Sequence, residues 1–150
     1  MPKALVVYGS TTGNTETVAN TIGEVLQAQG VEATVKNVTD TTIEELGGEY
    51  DVTLLGSSTW GDDEIEFQED FEPFYEQIGD AKQLSGKNVA LFGCGDTSYE
   101  YFCGAVDKLE EAMGDLGAKI VNEPLRIDGD PGDAEGETKE WAEEVAKAVL

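Results

Sequence analysis

Three short stretches carry residue types that could hold a ligand. The first is Gly9-Ser10-Thr11-Thr12-Gly13-Asn14-Thr15-Glu16, where hydroxyl, amide and glycine residues follow an apolar run and lead into a helical pattern. Backbone N–H groups at the mouth of a helix lack internal partners and the helix dipole is positive there, so Ser10 to Thr15 would form a phosphate cradle. The Gly-Lys-Ser/Thr ending of a nucleoside-triphosphate loop is missing, and no basic residue lies between Lys3 and Lys36. A phosphate monoester held by neutral donors fits better than a triphosphate with magnesium. An ordinary Ser/Thr helix cap is the plainer alternative.

The second stretch, Ser57-Ser58-Thr59-Trp60-Gly61-Asp62-Asp63-Glu64, reads as a loop that places Trp60 beside a glycine, where its ring could stack on a planar ligand. A partly buried loop tryptophan is the alternative. The third runs Gly93-Cys94-Gly95-Asp96-Thr97-Ser98-Tyr99-Glu100-Tyr101-Phe102-Cys103-Gly104. Its Gly-Cys-Gly is only the beginning of a dinucleotide fingerprint, because the third glycine is absent and the preceding strand is the wrong one. Its aromatic residues matter more, since Tyr99 could cover the far face of a ring stacked on Trp60.

The rest of the chain offers little independent chemistry. There is no histidine among the 150 residues, which removes Ser-His and Cys-His nucleophilic catalysis. Cys94 and Cys103 are too widely spaced for a thiol–disulfide motif and too few for a zinc site, so they read as reduced, partly buried thiols and no metal is expected. The chemistry therefore belongs to a bound cofactor.

Alternating elements must position these stretches. Lys3 to Gly9 is a nearly continuous apolar run, as in a strand buried on both faces. Val18, Ile22, Val25 and Leu26 predict a helix that Gly30 stops. Residues 31–38 alternate like a strand nearer an edge, and Ile43 to Leu46 makes at most one helical turn before Gly47-Gly48. Val52 to Ser57 is a third strand. Phe67, Phe71, Phe74, Tyr75 and Ile78 have helical spacing, with Pro73 near the helix start or at a kink.

Asn88 to Gly93 is a fourth strand, and Val106, Leu109, Met113 and Leu116 predict a helix closed by Gly117. Lys119-Ile120-Val121, continuing after Pro124 as Leu125-Arg126-Ile127, supplies a fifth strand, and Trp141, Val145, Ala148 and Val149 a last helix. The pattern predicts one α/β domain over residues 1–150 with a parallel sheet. Ligands in such sheets bind beyond the carboxyl ends of the strands, where the strand order reverses, which is where these three stretches lie.

The charge narrows the partners. Nine Lys and Arg against 32 Asp and Glu give a net charge of -23, which repels nucleic acid and anionic membranes and steers in basic proteins. Hydrophobic residues make up 39% of the chain, with eighteen glycines besides, a globular balance rather than a disordered one. The apolar run at the start is too short for a signal peptide and lacks a cleavage site, so a cytoplasmic location is expected.

Taken together, Tyr8-Gly9-Ser10-Thr11-Thr12-Gly13-Asn14-Thr15-Glu16, Ser58-Thr59-Trp60-Gly61-Asp62-Asp63 and residues 93–103 resemble flavodoxins along the whole chain. With no long insertion in the fifth strand, the likeness is to the short-chain class, closely to flavodoxins of sulfate-reducing anaerobes. The resemblance implies a three-layer sandwich around a five-stranded parallel sheet in the order 2-1-3-4-5. Flavin mononucleotide (FMN) would bind at its switch point.

On the same resemblance, Ser10, Thr11, Thr12, Gly13, Asn14 and Thr15 would hold the FMN phosphate. Ser58 and Thr59 would help to seat the phosphate or ribityl chain, with Trp60 and Tyr99 on opposite faces of the ring. Asp62 would lie by the ring, and Cys94, Gly95, Asp96, Tyr101, Phe102 and Cys103 would line its edge and pyrimidine end. The peptide at Gly61 would turn over to accept a hydrogen bond from the half-reduced ring, stabilising the neutral semiquinone.

The implied function is that of a monomeric, low-potential one-electron carrier shuttling between semiquinone and hydroquinone, without substrate turnover of its own. Its partners would be redox proteins with basic faces, such as a reductase, hydrogenase or cytochrome. A small FMN-dependent quinone or azo reductase is the alternative, although 150 residues leave little room for a substrate-pocket segment. A phosphoacceptor regulatory domain lacks the acids it would need after the first strand, where Ser10-Thr11-Thr12 stands.

Fourteen acids and no base lie between Lys36 and Lys82, among them Asp62, Asp63, Glu64 and Glu66. This field opposes a second electron on the ring, and salt screens it over about 10 Å at 0.1 M. Raising ionic strength is therefore expected to raise the second reduction potential, as measured by spectroelectrochemistry; a potential independent of salt would discredit the charge argument.

Overall fold

Strands that are apolar on both faces need cover on both faces, and this requirement sets the architecture. The computed structural model describes residues 2–9, 14–46, 50–60, 66–67, 71–95, 104–128 and 135–149. In chain order the elements are β1 (Lys3–Gly9), α1 (Asn14–Ala28), β2 (Glu32–Asn37), β3 (Val52–Trp60), β4 (Glu66–Phe67), α2 (Phe71–Gln77), β5 (Asn88–Gly95), α3 (Gly104–Leu116), β6 (Lys119–Ile120), β7 (Leu125–Asp128) and α4 (Glu135–Val149). The sheet runs β2-β1-β3-β5-β6, with β7 also paired to β5 and β4 to β3. All of these pairings are parallel except β3 with β4. Because β6 and β7 lie successively along β5 as one interrupted fifth strand, the long strands follow the expected order 2-1-3-4-5.

Side chains alternate across the sheet into two cores. Ala4, Val6, Val52, Leu54, Ala90 and Phe92 face one side, where Val18, Ile22 and Leu26 of α1 and Trp141, Ala142 and Val145 of α4 cover them. Leu5, Val7, Leu55, Val89 and Leu91 face the other, under Phe74 of α2 and Val106, Leu109 and Met113 of α3. β2 is half-exposed along most of its length, in keeping with its edge position.

The helix stops follow from backbone geometry. Gly30 and Gly117 adopt φ of 93° and 76°, a region costly for residues with a Cβ. At the first, Val31 N–H donates to the Leu26 carbonyl at 2.9 Å and Gly30 N–H to Gln27 at 3.1 Å. At the second, Ala118 donates to Met113 at 3.0 Å and Gly117 to Gly114 at 3.1 Å. Both ends are Schellman motifs that satisfy the final carbonyls.

Several expectations are corrected. β3 continues to Trp60 and β5 to Gly95, so the stretches read as loops from Ser57 and Gly93 begin as strand. Phe67 does not join the helix but pairs with Thr59 in a short antiparallel ladder. The helix starts at Phe71, with Pro73 in its first turn, where a missing N–H costs nothing. Ala148 is exposed, because the buried stripe of α4 is Thr138, Trp141, Ala142, Val145 and Ala146. Trp141 sits at one margin of that stripe and reaches inward with its large ring, so counting from it places Ala148 too far round the helix.

The break in the fifth strand is held from outside the sheet. Asn122 has φ 80°, Pro124 follows, and the Trp141 indole donates to the Glu123 carbonyl at 2.7 Å. The Asn122 amide donates to Glu144 at 2.9 Å, so α4 holds two successive residues within the break.

One glycine is required for packing. A Cβ on Gly56 would stand 2.2 Å from the ring of its β5 neighbour Phe92, and that ring packs against Trp141 at 6.3 Å between centroids. Gly56→Ala is expected to destabilise the fold by about 1–3 kcal/mol, measured by urea unfolding, whereas Gly79→Ala, where a Cβ meets open space, should cost far less.

Candidate cofactor site

The site is framed by one row of the sheet. Gly9 of β1 is in register with Ser57 of β3, and Ser57 with Gly93 of β5. β1 ends at this row while β3 and β5 run on past it, at the point where the chain has first turned outward to β2 and then returned to β3. This is the switch point at which open α/β sheets bind ligands. The row is unusually thin: two of its three residues have no side chain and the third is a buried serine.

Gly93 shows why. A Cβ there would lie 2.6 Å from the Ser57 carbonyl oxygen and 2.5 Å from Val106 Cγ2. The first contact is with backbone and has nowhere to retreat. The glycine thus lets α3 seat its first turn directly on the end of the sheet.

α1 follows β1 at this row. Four residues join β1 to this helix, so its N-terminus comes close to the row with its N–H groups leading. Asn14 opens the helix and Thr15 is completely buried in the first turn. The first-turn charge is Glu16, with no basic side chain nearby in sequence, so an anion there would be held by the dipole and neutral donors. Tyr8, one residue before the row, packs against the α1/α4 core. Burial, reinforced by Glu16, pushes its hydroxyl above the usual tyrosine range.

The predicted contact residues divide accordingly. Ser58, Thr59 and Trp60 finish β3, and the pairing of Thr59 with Phe67 and of Trp60 with Glu66 fixes their backbone. Cys94 is in register with Ser58 and ends β5 together with Gly95. Ser10, Thr11, Thr12, Gly13, Gly61, Asp62, Asp96, Tyr99, Tyr101, Phe102 and Cys103 lie outside the described residues. The carboxyl ends of β1, β3 and β5, from which the three predicted stretches continue, are thus neighbours in the sheet. Ser57 and Gly93 were not singled out as ligand residues; the available signal was a small residue ending each apolar run.

Acidic groups are spread over the described surface. Asp40, Glu44, Asp51, Glu76 and Asp80 are exposed. Glu45 accepts the Thr42 N–H at 2.7 Å and the Lys36 ammonium at 2.9 Å, and these two contacts, in that order, hold its carboxyl below the usual range.

The sequence model of the flavodoxin family matches residues 6–141. The chain belongs to the flavodoxin family. It is 47% identical to a flavodoxin of Maridesulfovibrio salexigens, over 99% of this chain and all of the relative. It is 46% identical, with the same coverage, to a flavodoxin of Nitratidesulfovibrio vulgaris. The fold superposes on the crystal structure of oxidised flavodoxin 1 from Bacillus cereus with a TM-score of 0.88 at 31% identity, covering 99% of each chain. These similarities establish a short-chain flavodoxin and, with it, an FMN-binding electron carrier that works with redox proteins. The donor set fits this group: a helix N-terminus without cations suits a phosphate monoester.

Gly93→Ala tests the thin row. Forcing a methyl against the Ser57 carbonyl should weaken FMN binding by about tenfold or more, measured by quenching of FMN fluorescence on titration with apoprotein. Gly79→Ala should bind as the parent does.

Proposed function

We propose that this flavodoxin is a low-potential one-electron carrier of the cytoplasm, acting as a monomeric single domain over residues 1–150. The observation that supports the reading most is the Gly9–Ser57–Gly93 row, which gathers all three ligand-type stretches at one switch point. Bound FMN supplies the redox chemistry. The chain's part is to hold it, keep water from it and set how readily it takes each electron.

In this reading Ser10, Thr11, Thr12, Gly13, Asn14 and Thr15 donate to the phosphate, and Ser58 and Thr59 seat the phosphate or ribityl chain. Trp60 and Tyr99 wall the ring on its two faces, and Cys94, Gly95, Asp96, Tyr101, Phe102 and Cys103 enclose its edge and pyrimidine end. Gly61 offers its carbonyl to a proton on ring N5, a reorientation that glycine permits at little steric cost. Asp62, Asp63, Glu64 and Glu66 surround the ring with negative charge. Together with aromatic walls of low polarity, they make a second negative charge unfavourable and the doubly reduced carrier a strong reductant.

Partners would dock through basic faces, guided by the net charge of -23. Without a histidine base or a substrate-pocket segment, the chain would pass electrons between proteins rather than turn over a substrate. An anaerobic reductive titration tests this. A long-wavelength absorbance should rise with the first electron equivalent and bleach with the second, and Gly61→Ala should lower its maximum. Direct two-electron bleaching, or steady quinone turnover with a nicotinamide cofactor and no other protein, would overturn the proposal.

A further inference from the structure

The row that frames the site extends one strand further. Gly93 is in register with Arg126 of β7, and Arg126 is the sole arginine of the chain. Its neighbours Leu125 and Ile127 are buried in the α1/α4 core, so by strand alternation Arg126 leaves the opposite face, towards α3. There its guanidinium binds the carboxylate of Asp107. Asp107 lies in the first turn of α3, where a negative charge is also favoured by the helix dipole. The adjacent Val106 is the residue seated over Gly93.

The first turn of α3 is therefore held to the sheet at two points of one row: an apolar contact in the gap left by Gly93 and an ionic contact at Arg126. We propose that Arg126 is a positioning residue for the cofactor site. Through Asp107, it clamps the first turn of α3 onto the sheet at the row from which the ligand-bearing stretches leave. The functional half of this proposal rests on the FMN reading given above. A guanidinium suits the task better than an ammonium, because it is planar, more weakly hydrated and fixed in direction. The Arg126 side chain is 29% exposed and that of Asp107 55%, so the pair contributes modestly to global stability and acts chiefly by fixing local geometry.

Two readouts test the clamp: hydrogen exchange of amides 106–109 in the apoprotein, and FMN affinity by fluorescence quenching. Arg126→Gln and Asp107→Asn should each speed that exchange and weaken FMN binding, by about three- to fivefold. The double variant should lose no more than either single, and Arg126→Lys should recover most of the loss. Unchanged exchange and affinity in both single variants, or losses that multiply in the double, would overturn the clamp. Should Arg126→Gln fail to fold, Asp107→Asn and Arg126→Lys carry the same comparison. A parent protein that bound no FMN would sink the cofactor reading, while the exchange measurement would still decide the clamp.

Discussion

Close approach at the end of the sheet is the constraint on which the remaining structure depends. The Ser57 carbonyl and the Val106 methyl both occupy space that any side chain at Gly93 would need. Because the Ser57 carbonyl belongs to the pairing between β3 and β5, the separation of those strands and the height of α3 are fixed together. The register that links Gly9, Ser57 and Gly93 then carries this geometry to the start of α1.

The electrostatic arrangement works against this compactness. A chain with 32 acids and nine bases repels itself, and its few described ion pairs, such as Lys36 with Glu45, are partly exposed and weak. Stability rests instead on the two cores. Fully buried Leu5, Leu54, Leu55, Leu91 and Phe92 make the sheet a continuous apolar slab, so the surface can carry its charge without being needed for the core.

Much of the fold was legible in the sequence, because apolar residues follow the helical and strand periods and glycine marks two helix ends. The helical face at Val18, Ile22 and Leu26 and the stop at Gly30 are of this kind. Short polar elements were harder. Ser58, Thr59 and Trp60 continue no apolar run, so their strand character appears only when Ser58 aligns with Cys94 and when Phe67 and Glu66 pair with Thr59 and Trp60. The hydroxyl, glycine and aromatic residues clustered after three strands suggested a phosphate and a planar ring, and the resemblance to flavodoxins supplied FMN. What was not legible was how those strands align. Gly93 and Arg126 acquire their roles from register, a relation between distant segments that no local pattern encodes.

The interruption of the fifth strand bears on how such a chain can change in length. Lys119–Ile120 pairs with one part of β5 and Leu125–Asp128 with another, while the residues between them are tied to α4 by Trp141 and Glu144. A segment inserted between Val121 and Leu125 would leave both sets of ladder pairings available. The outer border of the sheet can thus lengthen by evolution or by design without moving β1, β3 or the ends that carry the ligand.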